Sequence, residues 1–233
     1  MGVDSGELWV CHLGEVEYRA GVVLQERLRA ARQDDAIPDL LLLLEHPPVY
    51  TLGRRSEPRE LPMEESWYLD QGIDIVGTDR GGMLTYHGPG QLVGYPIMRI
   101  DDVIEFLRRM EAAIVTALAD EGVAAEVREG LTGVWAGERK IGSIGLHVSR
   151  GVCTHGFAVN VENDLQPFEW VVPCGLEGVE MTSVSREAGE RRGLHCFRRR
   201  MAYRFAEAHG RRQRVVSRSR IGAVREPAGA VPA

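Results

Sequence analysis

Residues 40–44 are five consecutive leucines, closed off by Asp39 on one side and by Glu45, His46, Pro47 and Pro48 on the other. The run is far too short to cross a bilayer, which takes ~20 apolar residues. It has the length of a strand, and a strand with no polar position reads as buried. It is also the longest apolar run in the chain, so no membrane span is expected. The N-terminus, MGVDSGELWV, carries an early acid and no apolar block after a basic start, unlike a secretory signal. At 233 residues the chain is long enough for a substantial core. A cytoplasmic location is expected.

Around this strand the sequence alternates helices with short strands and shows no internal repeat. In 15–33, Tyr18, Val22 or Val23, Leu24 and Leu28 recur at helical spacing. A second helix is predicted over 101–122, with Asp101 or Asp102 as N-cap, a stripe of Val103, Leu107, Met110, Ile114 and Ala117, and Gly122 as terminator. Strands are predicted at 73–76, 123–128, 132–136, 140–148 and 154–162, and another helix past 194. The four cysteines form no CxxC pair, so free thiols are expected and no metal site is read. A net charge of −6 argues against nucleic-acid binding, although the last forty residues are strongly basic.

The segment GVWAGERKIGSIG holds the only lysine of the chain, Lys140, among 28 basic residues. A lysine can lose its proton where an arginine cannot, which suits it to acid–base chemistry. Strict alternation over 140–148 places Lys140 with Gly142, Ile144, Leu146 and Val148 on the core-facing side, unless a bulge at Gly142 turns it outward. Its most useful neighbour would be a thiolate, because an ammonium lowers a thiol pKa. Cys174, between Pro173 and Gly175 in VVPCGLEG, is the best candidate. Cys153 is a rival, two residues before His155 and by alternation on the same face. The glycine-rich segment RGGMLTYHGPGQ lacks a P-loop ending and GxGxxG spacing. It reads either as tight turns or as a close backbone approach to an extended ligand, with Arg80, Tyr86 and His87 at the rim. His87 and His155 can equally be core histidines.

Taken together, EHPPVYTLGRR (45–55), DRGGMLTYHGPGQLVGYPI (79–97), GVWAGERKIGSIGLHVSRGVCTHGFAVNV (133–161) and VVPCGLEGVEMTSV (171–184) resemble the lipoyl(octanoyl) transferases over residues 8–210. The resemblance implies an α+β fold, a mixed β-sheet flanked by helices, as in the biotin/lipoate ligase-like catalytic domains. It implies one acyltransferase domain over 1–212, and the basic residues 213–233 outside the match are expected to be a disordered tail. The family's catalytic pair falls on Cys174 and Lys140. Its substrate-binding segments fall on Arg80, Gly81, Gly82, Met83, Leu84, Thr85, Tyr86 and His87, on Ser143, Ile144 and Gly145, and on Gly156, Phe157 and Ala158. The implied donor is octanoyl-acyl carrier protein. The implied acceptors are the lipoyl domains of 2-oxoacid dehydrogenase E2 subunits and the glycine cleavage H protein, with no cofactor. An ATP-dependent lipoate-protein ligase is the alternative. Acyl carrier proteins are acidic, so docking calls for a basic patch, with Arg54, Arg55, Arg80 and Arg150 as candidates by position.

Overall fold

The computed structural model of the protein describes residues 6–172 and 178–224. Its centre is an eight-stranded mixed sheet. In spatial order the strands are β11 (Arg212–Val215), β1 (Glu7–Glu15), β2 (Leu40–Glu45), β6 (Gln91–Ile97), β10 (Val152–Asn160), β9 (Arg139–Ser149), β8 (Leu131–Ala136) and β7 (Glu126–Arg128). The pairs β11–β1 and β1–β2 are parallel and the others antiparallel. Strand β2, five leucines closed by Glu45, is central, as its sequence demands. Leu41 and Leu43 join one core, and Leu40, Leu42 and Leu44 the other.

Helices α3 (Val103–Ala119) and α5 (Leu194–Ala208) cover the first face. Asp102 caps α3 by accepting from the N–H groups of Ile104 and Glu105 at 2.7 and 2.9 Å. Helix α1 (Tyr18–Gln33) covers the second face, with Leu28 and Ala31 packed beside Ile221 of α6 (Arg218–Gly222). Val23, read as a possible core position, is exposed. The short helix α4 (Val184–Ala188) follows the segment beside β9.

A second, three-stranded sheet orders β4 (Asp74–Gly77), β3 (Val49–Leu52) and β5 (Thr85–His87). It packs with α2 (Glu65–Asp70) around a separate aromatic core of Tyr50, Tyr68, Tyr86 and Phe168. The fold is the expected α+β class.

Two regions differ from expectation. No strand was read at 7–15, where Leu8 and Val10 face one core while Trp9, Cys11 and Leu13 face the other. The stretch 213–224 was expected to be without structure. Instead β11 pairs with β1, Glu7 receives Arg212 and Arg214, and Ile221 is buried. Hydrogen bonding to β1 and the apolar side chains of Ile221, Val216 and Val224 hold a segment whose composition reads as solvated. Residues 225–233 lie outside the described ones. No described helix is long and apolar enough to cross a membrane.

Candidate active site

Strands β9 and β10 carry the site, and their register shows how. Ser143 pairs with Ala158, Ile144 with Phe157 and Gly142 with Val159. Paired residues share a face. Phe157 and Val159 lie in the α3/α5 core, so Ile144 and Gly142 point that way, and Ser143 points with Ala158 to the α1 side. On the other ladder Val134 pairs with Gly142 but Trp135 pairs with Lys140, one step on β8 against two on β9. The extra residue is Ile141, fully buried in the α3/α5 core.

This bulge reverses the alternation. Lys140 therefore does not share the face of Ile144, Leu146 and Val148, as strict alternation requires. It is turned across the sheet, to the side of Ser143 and Gly145, where all three line a cavity of about 250 Å³. Lys140 is 3% exposed and its Nζ lies 5.6 Å from the centre of the Trp135 ring. Gly133 makes room for it. At φ +122°, a Cβ there would stand 2.8 Å from Lys140 Cε and 2.5 Å from Gly142 O. The Lys140 main chain is held by Glu180 and Thr182, with N–H donating to Glu180 O and C=O accepting from Thr182 N, each at 2.9 Å. Cys174 lies outside the described residues. So do Pro173 and Gly175.

The glycine-rich segment roofs the cavity and divides by alternation. Gly82, Met83, Thr85 and His87 line it. Leu84 and Tyr86, expected at the site, belong to the aromatic core instead, and burial pushes the Tyr86 hydroxyl up to about 12. Gly81 is absent from the lining too. Its N–H donates to Leu146 O at 2.8 Å and ties the roof to β9. Arg80 lines the cavity but is buried, donating to the Thr51 carbonyl at 2.6 Å and to the Thr51 hydroxyl at 2.8 Å. It is therefore withdrawn from the surface docking set. Arg54 and Arg55 are exposed and Arg55 reaches the lining, while Arg150 donates to Gln33 Oε1. Gly156 and Ala158 line the cavity as expected, and Ile144 and Phe157 border it too, although their side chains pack into the α3/α5 core.

Sequence reading missed Tyr18 as a site residue, and with it Tyr95, Leu131 and Thr132, all of which line the cavity. Tyr18 had only its place in a helical stripe to mark it. Its ring stacks on His87 with centroids 6.0 Å apart. His87 donates from Nδ1 to Gln91 Oε1 at 2.7 Å, and burial, with His46 nearby, holds its pKa well below the usual range. Gln91 in turn donates to Tyr86 O and Asn160 Oδ1. Burial likewise pulls His46 down to about 4. It donates to Val16 O at 2.6 Å and accepts from Tyr95 Oη at 2.7 Å. Two neutral imidazoles thus stiffen the wall behind the cavity.

Cys153 and His155 part company. Cys153 is fully buried in the α3/α5 core, where burial pushes its thiol up to about 12 and Sγ donates to Pro96 O. That removes it as a nucleophile. His155 has φ +55° and lines the cavity instead. Among the described residues no cluster of His, Cys, Asp or Glu is arranged to hold a metal ion, and Cys11, Cys153 and Cys196 are free thiols.

The family model of the lipoyl protein ligase A/B catalytic domain matches residues 17–206. Proteins named octanoyltransferase are similar across most of the chain. That of Mycolicibacterium smegmatis is 45% identical over 78% of this chain and 80% of its own, and that of Solibacter usitatus 48% over 70% and 76%. Among solved structures, a bipartite lipoate protein ligase from Thermoplasma acidophilum covers 91% of this chain and 88% of its own at TM-score 0.71 and 20% identity. A biotin protein ligase from Aquifex aeolicus, in complex with biotin and ATP, covers 85% and 69% at TM-score 0.55 and 12% identity. These two speak to the fold. The match of the family model and the octanoyltransferase identities agree, and the chain belongs to the lipoyl protein ligase A/B catalytic-domain family.

Proposed function

We propose that the protein transfers an octanoyl group from octanoyl-acyl carrier protein to a lysine of lipoyl domains, through a thioester on Cys174. The observation that carries this is the only lysine of the chain, turned by a bulge into a buried cavity, in a chain 45–48% identical to proteins named octanoyltransferase. The pairing with Cys174 is supported by the covalent tether. Cys174 is six residues before Glu180, whose carbonyl bonds the Lys140 N–H, and six residues span at most ~20 Å.

The Cys174 thiolate attacks the donor thioester, a carbon–sulfur bond forms at the enzyme as the carrier thiolate leaves, and the carrier takes up a proton. The neutral acceptor amine then attacks the acyl-enzyme. A carbon–nitrogen bond forms, Cys174 leaves as thiolate, and the amine proton is passed on. Lys140 has two tasks: its charge stabilises the thiolate, and its amine relays that proton, which arginine could not. Exchange between thioesters is nearly isoenergetic and amide formation from one runs downhill, so no nucleotide enters. The acceptors are lipoyl domains of 2-oxoacid dehydrogenase E2 subunits and of the glycine cleavage H protein, and the reaction is placed in the cytoplasm.

Intact mass after incubation with octanoyl-carrier protein is the test. One octanoyl adduct on Cys174, labile to hydroxylamine and absent from Cys174→Ser, is expected. An adduct on Cys196, or none under turnover, overturns the nucleophile. Lipoylation of the acceptor from free lipoate and ATP without carrier would favour the ligase reading instead.

A further inference from the structure

We infer that His155, propped by Asp79, is the end stop of the acyl channel and sets the longest chain the enzyme accepts; this rests on the octanoyl-transfer reading above. The cavity wall is laid out along β9 and β10 in register. Lys140 comes first, then Ser143 opposite Ala158, Gly145 opposite Gly156, and finally His155 opposite Leu146. Six steps of strand, one of them taken up by the Ile141 bulge, lead from Lys140 to Leu146, roughly 17–20 Å at ~3.3 Å each. The lysine chain and the imidazole both project into that run and shorten it. An extended eight-carbon chain, with bonds of ~1.5 Å, needs roughly 9 Å.

His155 is at this end by construction. Its neighbours Cys153 and Phe157 both point into the α3/α5 core, and alternation would send His155 after them. A φ of +55°, which L side chains resist, swings it to the cavity. Three contacts hold that conformation. The His155 N–H donates to Gln25 Oε1 at 2.6 Å, and Nε2 donates to Asp79 Oδ1 at 2.8 Å and stands 3.4 Å from Thr78 Oγ1. Asp79 Oδ2 also faces His147 Nδ1 at 3.3 Å. His155 is 3% exposed and its Nδ1 has no partner. A longer chain must therefore drive the ring off Asp79 or press a methylene against an unsolvated lone pair.

The experiment measures kcat/KM for acyl-carrier donors of six to twelve carbons, beside direct binding of the matching fatty acids, for wild type, His155→Gly, His155→Asn and Asp79→Ala. Glycine and asparagine both tolerate φ +55°, so the backbone keeps its course. The twelve-to-eight-carbon ratio is expected to rise ~10- to 100-fold in His155→Gly, less in His155→Asn and Asp79→Ala, in turnover and in binding alike. A folded His155→Gly or His155→Asn with the wild-type ratio, or with an equal loss at every length, overturns the stop. Wild type that binds the acids but transfers nothing would sink the transfer reading, while the binding series still decides the stop.

Discussion

Strands β9 and β10 present two faces of opposite character. Toward α3 and α5 they offer Ile141, Ile144, Cys153, Phe157 and Val159 to an apolar core closed by Phe197, Met201 and Phe205. Toward α1 and the roof they offer Lys140, Ser143, Gly145, His155 and Gly156 to a cavity. The two most chemically capable residues of that second face reach it by breaking the strand rule. Lys140 is moved by the Ile141 bulge and His155 by its positive φ. Without those two irregularities both would point at leucines and phenylalanines. Cavity and core are thus separated by backbone geometry more than by composition.

The largest expected effect tests the cavity face. Replacing Lys140 by Arg keeps a charge near the thiol but removes the titratable amine. Acyl-enzyme should accumulate, and transfer to the lipoyl domain should fall ~10²- to 10⁴-fold, while Lys140→Ala is poor in both steps. Single-turnover measurement of each half-reaction checks this. Equal slowing of both steps in Lys140→Arg, with octanoyl binding intact, leaves the lysine a charge and nothing more.

The opposite face should respond in stability alone. Phe197 is fully buried among α3, α5 and the sheet. Phe197→Ala is expected to cost about 3–5 kcal/mol in urea unfolding, with kcat/KM per folded molecule unchanged. Loss of activity in the folded fraction would mean that the two faces are coupled.

What the sequence made legible follows the same division. The leucine run, the α3 helix with its cap, and the order of strands from 123 to 162 rest on repeating patterns, and the structure has them, although Val103 of the expected α3 stripe is exposed, Leu107 is only half-buried and Phe106 is buried in their place. Lys140 was legible as buried, because it heads five alternating positions of which three are large and apolar, but its face was not, since one inserted residue leaves no mark in composition. Tyr18 reads as one more core aromatic on a helix, and nothing local distinguishes it from Leu28. In the roof segment, alternation separates Thr85 and His87 from Leu84 and Tyr86 only once β5 is known to be a strand. The arginine-rich 213–224 reads as tail because its order depends on a partner strand two hundred residues away.

Gly133 gives a smaller and sharper probe, because it serves the cavity face from β8. Gly133→Ala forces a side chain into φ +122° and against Lys140 Cε and Gly142 O. A loss of about 1–3 kcal/mol is expected, together with a fall in kcat as the lysine is displaced. Thermal unfolding beside half-reaction rates reads both. Unchanged kcat at reduced stability would show that Lys140 does not depend on the space Gly133 leaves.

The smallest effect separates the faces by pH. The hydrogen bond from His155 holds the Asp79 carboxyl at about 2, below its ordinary 3.8. A carboxylate whose pKa is lower in the folded state stabilises above its unfolded value, and that contribution fades as pH falls from about 4 toward 2. The full displacement corresponds to roughly 2.4 kcal/mol. Asp79 is half exposed, so screening brings the figure to about 1 kcal/mol. The stability gap between wild type and Asp79→Asn should therefore be flat above pH 4 and close toward pH 2, measured by urea unfolding across that range. The Phe197→Ala deficit involves no titrating group and should keep its size over the same interval. A gap for Asp79→Asn that widens on acidification would contradict an ionised Asp79 bracing His155, and would leave the positive φ at that histidine without its main support.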